Sequence, residues 1–121
     1  MVALLSALVL AESPSDAPET QAGPQAILRA QFAQLGYDVE HTPGTRTGGY
    51  LVARAPNAAG RPTQLLLGHG DTVWPTGTLA EMPLVIEGDV LRGPASYDMK
   101  AGLGQGLFAL RALQELGQTP P

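Results

Sequence analysis

The chain has 121 residues, 44% of them hydrophobic and 15% charged, enough apolar matter for a core and the wrong balance for a disordered segment. Seven Lys and Arg against eleven Asp and Glu leave a net charge of −4, and the basic residues are scattered from Arg29 to Arg111, so no basic stripe supports nucleic-acid binding. There is no cysteine, which excludes disulfides and thiolate sites and leaves any metal to His, Asp or Glu.

Met1 to Ala11 is an apolar run, MVALLSALVLA. A membrane-spanning helix needs about 20 residues, so this run is too short to cross a bilayer. It also lacks the basic stretch that opens a secretory signal. It reads as a buried first helix that ends at Ser13-Pro14, because the residue before proline leaves helical geometry. A secretory signal is the alternative; the expected location is cytoplasmic, which the absence of cysteine fits.

Ser13 to Pro24 reads as a polar connector. Gln25 to Leu35 is predicted helical, with Leu28, Phe32 and Leu35 on one face and Gly36 as the stop. Tyr37, Val39 and His41 alternate with acidic residues, as in a half-buried strand. Thr42 to Gly49 is a loop, Tyr50 to Arg54 a second strand, and Ala55 to Pro62 a turn built on Pro56, Asn57 and Gly60. Gln64 to Gly68 is the plainest strand: Leu65-Leu66-Leu67 is the continuous apolar run of a strand covered on both faces. Leu84 to Arg92 predicts a hairpin turning at Gly88-Asp89. Lys100 to Leu116 predicts a helix with Leu103, Leu107 and Leu110 on one face, ended by Gly117. Helices before and after buried strands imply an α/β sandwich.

Two places offer chemistry. His69-Gly70-Asp71 follows the apolar strand, and in open α/β sheets ligands gather at the carboxyl ends of strands. A histidine there offers one ring nitrogen to a metal while a neighbouring carboxylate fixes the other. Taken alone, the pair equally describes a loop histidine beside an Asp that holds its own turn. The second place is Asp98, within GPASYDMKAG. One carboxylate can bridge two cations roughly 3.5–4 Å apart, as in two-metal hydrolases. Taken alone, Asp98 also reads as the N-cap of the following helix. His41 lies on a peripheral strand and is not expected to bind metal. Trp74 and Pro75 either wall a pocket or form a surface turn. Gly102, Gly104 and Gly106 permit close packing but lack the Gly-Lys-Ser/Thr ending of a phosphate loop.

In order and at this separation, LLLGHGDTV (Leu65 to Val73) and GPASYDMKAG (Gly93 to Gly102) resemble the zinc-dependent aminoacylase and carboxypeptidase family. That family includes succinyl-diaminopimelate desuccinylases, acetylornithine deacetylases and glutamate carboxypeptidases. The intervening WPTGTLAEMPLVIEGDVLRGP looks most like the glutamate carboxypeptidase branch. Weaker matches are GGYLVARAP, from Gly48, and SPSDAPE, from Ser13.

The resemblance implies a three-layer sandwich of a mixed sheet with helices on both faces. It implies two Zn2+ ions in a complete enzyme, with Co2+ or Mn2+ also suited to such ligands. His69 would bind one zinc, Asp98 would bridge both, and Asp71 would orient His69. The peptide after Asp98 would be cis. The substrate would be a small N-acyl amino acid or peptide, cleaved at an amide bond, with no membrane partner and with homodimerisation of the complete enzyme through a small domain.

Ala95 and Ala101 stand where the family usually has glycine, so a positive φ at either would strain the loop carrying Asp98. The paired Glu residues that supply the base and a further ligand, and a late histidine, find no match. Glu115 has no neighbouring Glu and does not fit. Residues 1–121 are therefore expected to be the N-terminal portion of a metallopeptidase catalytic domain, without the dimerisation domain and inactive alone. A non-catalytic metal-binding remnant or interaction module is the other reading.

Overall fold

The computed structural model describes residues 1–56 and 59–118. Part of the Ala55–Pro62 turn, and the Pro120-Pro121 end, lie outside the described residues.

The apolar N-terminal run forms helix α1 (Val2–Leu10), with Leu4, Leu8 and Val9 buried. After a 3-10 turn at Pro18–Gln21 comes α2 (Ala22–Gln34), which begins three residues earlier than periodicity predicts. Leu28 and Leu35 are buried and Phe32 half-buried, as the helical spacing requires. Gly36 takes φ +78°, the left-handed geometry of a helix stop. Strands β1 (Asp38–Thr42) and β2 (Tyr50–Arg54) pair antiparallel, from Asp38 opposite Arg54 to Thr42 opposite Tyr50. A short helix, α3 (Thr78–Glu81), is too brief to carry a periodic signal. β3 (Val85–Glu87) and β4 (Val90–Arg92) form the predicted hairpin, with Gly88 at φ +57°. A wide helical turn, Ser96–Lys100, leads into α4 (Ala101–Glu115), which buries Leu107.

The core is one cluster: Leu4 and Leu8 of α1, Leu28 and Leu35 of and after α2, and Leu107 of α4. It fixes the three long helices to each other, and the site is built at their ends.

The strand expected over Gln64–Gly68 does not form. Those residues belong to no sheet, and Leu65, Leu66 and Leu67 are 80%, 72% and 85% exposed. A strand exists through its ladder partners, and among the described residues none lies beside this run. The strands that do form make two separate antiparallel pairs. The architecture is mixed α and β. Pairing returns downstream, where Thr72 makes an isolated parallel bridge with Pro14. The segment still lies on α4: a Cβ at Gly68 would come within 2.8 Å of Leu103 Cδ2 and 3.1 Å of Met99 Cε. A side chain at this position would have to push those two apolar tips aside, so glycine eases the approach that brings the chain down to the helix just before His69.

Candidate metal-binding site

His69 and Asp71 stand on the irregular segment above the start of α4, and Asp98 stands on the wide turn that opens it. The two loops are tied directly. The His69 backbone N–H reaches Met99 Sδ at 3.4 Å. Asp98 and Met99 leave helical dihedrals, and the peptide between them is cis. The residue at the cap of α4 is Lys100, not Asp98, and no side chain caps that helix. Asp98 Oδ1 lies 3.2 Å from His69 Nε2 instead.

The other face of the imidazole is also occupied. His69 Nδ1 lies 3.0 Å from the Asp71 carbonyl and 3.3 Å from Asp71 Oδ1. A carbonyl oxygen only accepts, so Nδ1 carries the hydrogen and a neutral ring keeps its lone pair on Nε2. Two acceptors, Nε2 and Asp98 Oδ1, then face each other with nothing to share unless a proton or a cation comes between them. Zinc binds nitrogen and oxygen at about 2.0–2.2 Å in tetrahedral geometry, which separates neighbouring ligands by about 3.4 Å. The 3.2 Å spacing fits that demand. The donor set fits too, one neutral imidazole and one carboxylate. Among the described residues no group of three or more His, Cys, Asp or Glu side chains is placed to hold a metal ion, so these two would supply two positions of a coordination shell that holds four.

The electrostatics follow from the same contacts. Burial opposes the imidazolium, but the Asp71 carbonyl, the Asp98 carboxylate and the charges of both aspartates outweigh it, and the His69 pKa is raised. Lys100, one turn below, is 1% exposed. Its Nζ donates to the Ala11 carbonyl at 2.9 Å, across from the end of α1. Burial pushes its pKa down to about 8, while Glu12 and Asp71 oppose the fall. Glu12 accepts backbone N–H groups from Gly77 and Leu79 at 2.9–3.1 Å, which lower its pKa and anchor the start of α3.

Beside Asp98 lies an open pocket of about 210 Å³ walled by Thr72, Trp74, Ala95 and Tyr97. Trp74 thus faces a pocket and not only solvent. Ala95 takes φ +58° while Ala101 is helical at φ −65°. Of the two alanines in glycine-like positions, only Ala95 is in the left-handed region. His41 sits apart, on β1, with Nε2 3.4 Å from the Gly48 carbonyl.

Sequence reasoning passed over the residues that hold the His69–Asp71 loop from behind. Ser13 Oγ donates to the Gly70 carbonyl at 2.8 Å, and Ser15 Oγ donates to Asp71 Oδ2 at 2.7 Å. They lie 56 or 57 positions away in sequence. Local spacing carries no signal of such a pairing.

The fold and site thus define a mixed α/β chain with a metal-compatible His–Asp pair at the ends of its core helices. No family model matches the chain. The chain is 32% identical over 119 residues to carboxypeptidase G2 of Pseudomonas sp. (strain RS-16), an alignment that covers 97% of this chain and 28% of that protein. It spans little more than a quarter of that relative's length. The similarity supports a relation to a peptidase family. No helix among the described residues is long and apolar enough to cross a membrane.

Proposed function

We propose that this chain carries part of the metal centre of a metal-dependent amide hydrolase of the aminoacylase and carboxypeptidase family, on the glutamate carboxypeptidase side. The observation that carries the reading is the facing of His69 Nε2 and Asp98 Oδ1 at 3.2 Å, with Nδ1 held by Asp71. His69 and Asp98 would hold divalent metal, zinc first, with Co2+ or Mn2+ as alternatives, and the free oxygen of Asp98 would serve a second ion. Bound zinc would lower the pKa of a coordinated water to about 7 and polarise a carbonyl.

The chain's own residues have definite parts. Asp71 keeps the hydrogen on Nδ1 and so keeps Nε2 a ligand. Trp74 and Tyr97 wall the pocket beside Asp98 and would border a small N-acyl amino acid or peptide. Among the described residues no third His, Cys, Asp or Glu joins the pair in a metal-holding group, so none is assigned the water's proton. On this reading residues 1–121 are the N-terminal portion of a catalytic domain with a three-layer sandwich. The completed enzyme would be cytoplasmic and dimeric, and the 121 residues alone would not turn over substrate. A non-catalytic metal-binding role is favoured by one observation, the lack of a third donor among the described residues.

The test is hydrolysis of N-acyl amino acids with added zinc. The 121-residue chain is expected to show none. Zinc-dependent turnover abolished by His69→Ala would overturn the inactive state assigned to it. In the natural protein, Asp98→Ala is expected to abolish zinc retention and turnover; full activity in that variant would overturn the bridging role.

A further inference from the structure

We propose that Ser15 is a positioning residue: its hydroxyl holds the Asp71 carboxylate, and through it the His69 ring, with Nε2 turned towards Asp98. The metal part of this inference rests on the metal-centre reading above; the ring-orientation part does not.

Asp71 Oδ1 lies 3.3 Å from His69 Nδ1, while its other oxygen, Oδ2, accepts the Ser15 hydroxyl at 2.7 Å. One carboxylate oxygen thus faces the imidazole because the other is tethered. The tether is itself rigidly mounted. Thr72 N donates to the Ser13 carbonyl at 2.9 Å, and Ser15 N donates to the Thr72 carbonyl at 2.8 Å. The buried Ser13 hydroxyl fixes the Gly70 carbonyl between them. Pro14 sits at the centre of this parallel bridge and its ring restricts the backbone there. Every residue from Gly70 to Thr72 is therefore held by the Ser13–Ser15 segment, and only Ser15 reaches a side chain of the site.

Without the hydroxyl, the half-exposed Asp71 carboxylate is free to rotate into water. The Asp71 carbonyl then remains as the lone acceptor for Nδ1–H, and the preference for that tautomer weakens. A purely structural Ser15 would affect stability through the Thr72 bridge and leave the tautomer alone.

Long-range proton–nitrogen NMR of the metal-free, 15N-labelled 121-residue chain, at a pH where both imidazoles are neutral, reads this directly. The sequence has two histidines, so His41 is an internal reference. The wild type is expected to show His69 as the Nδ1–H tautomer. Ser15→Ala is expected to move His69 towards the Nε2–H form with His41 unchanged, and Ser15→Thr, which keeps the hydroxyl, to restore it. In an Asp71→Asn background Ser15→Ala is expected to add nothing, because Ser15 acts through that carboxylate. If Ser15→Ala unfolds, Ser15→Cys keeps the volume with a weak donor and is expected to give an intermediate population. A His69 spectrum unchanged in Ser15→Ala, or in Ser15→Cys where that variant decides, would overturn the proposal. Calorimetry with zinc supplies a second readout: about tenfold weaker binding in Ser15→Ala, recovered in Ser15→Thr. A wild type that binds no zinc would overturn the metal-centre reading and leave the tautomer result to decide the role of Ser15.

Discussion

Replacing Lys100 by Met should flatten the alkaline rise in stability of this chain. Lys100 is 1% exposed, its Nζ donates to the Ala11 carbonyl, and the charges near it are Glu12 and Asp71. Burial dominates and brings its pKa from 10.5 to about 8. Between those values the unfolded chain holds a proton that the folded chain does not, so stability rises with pH. The contribution is complete above the unfolded value and is lost as pH falls through about 8. Each decade of displaced proton equilibrium is worth about 1.4 kcal/mol, so the whole effect is about 3 kcal/mol, with about 2 kcal/mol between pH 8 and pH 10. Tyr37, whose pKa burial raises, works in the opposite direction above its ordinary value of 10, which makes pH 10 the upper end of the useful window. Urea unfolding at a series of pH values across that window gives the slope. The wild type should gain stability and Lys100→Met should stay level. Equal slopes in the two proteins would refute the assignment of the rise to Lys100.

Three further outcomes follow from the packing. Leu8 is fully buried where α1 meets the rest of the core, so Leu8→Ala should cost about 2–5 kcal/mol in urea unfolding; a loss under 1 kcal/mol would mean α1 is not anchored there. Leu65 and Leu67 are bare, so Leu65→Ser with Leu67→Ser should change stability by no more than about 0.5 kcal/mol each and reduce self-association in light scattering. Ala95→Gly and Ala101→Gly should diverge in thermal melts. The first relieves a left-handed alanine, about 1 kcal/mol, and loses a buried methyl, about 0.8 kcal/mol, for little net change. The second weakens a helix start by about 0.5–1 kcal/mol.

The long helices and the β3–β4 hairpin were legible because their signals are local. Leu28, Phe32 and Leu35 declare a face within three turns, and Gly88 declares a reversal within two residues. Leu65–Leu67 misled for the complementary reason. An apolar run states that a segment wants cover, and a strand additionally needs partners, which the described residues do not place beside it. α3 was invisible because four residues hold one turn. In the site, His69, Asp71 and Asp98 were singled out by residue type and by family resemblance, and the structure brings the three together. Glu12, Ser13, Ser15 and Lys100 were not singled out, since their contacts join segments 56 to 89 positions apart and no spacing rule reaches so far. The positive φ was legible as a question, posed by two alanines in glycine-like places, and only the backbone could answer it for Ala95 and not Ala101.

The central claim is that His69 and Asp98 form half of a metal shell. Zinc calorimetry on the 121-residue chain tests it most directly, with His69→Gln, Asp98→Asn and, as the control, His41→Gln. The account predicts zinc binding by the wild type that His69→Gln and Asp98→Asn each abolish and His41→Gln leaves unchanged. Binding that survives both site substitutions at wild-type affinity would contradict it.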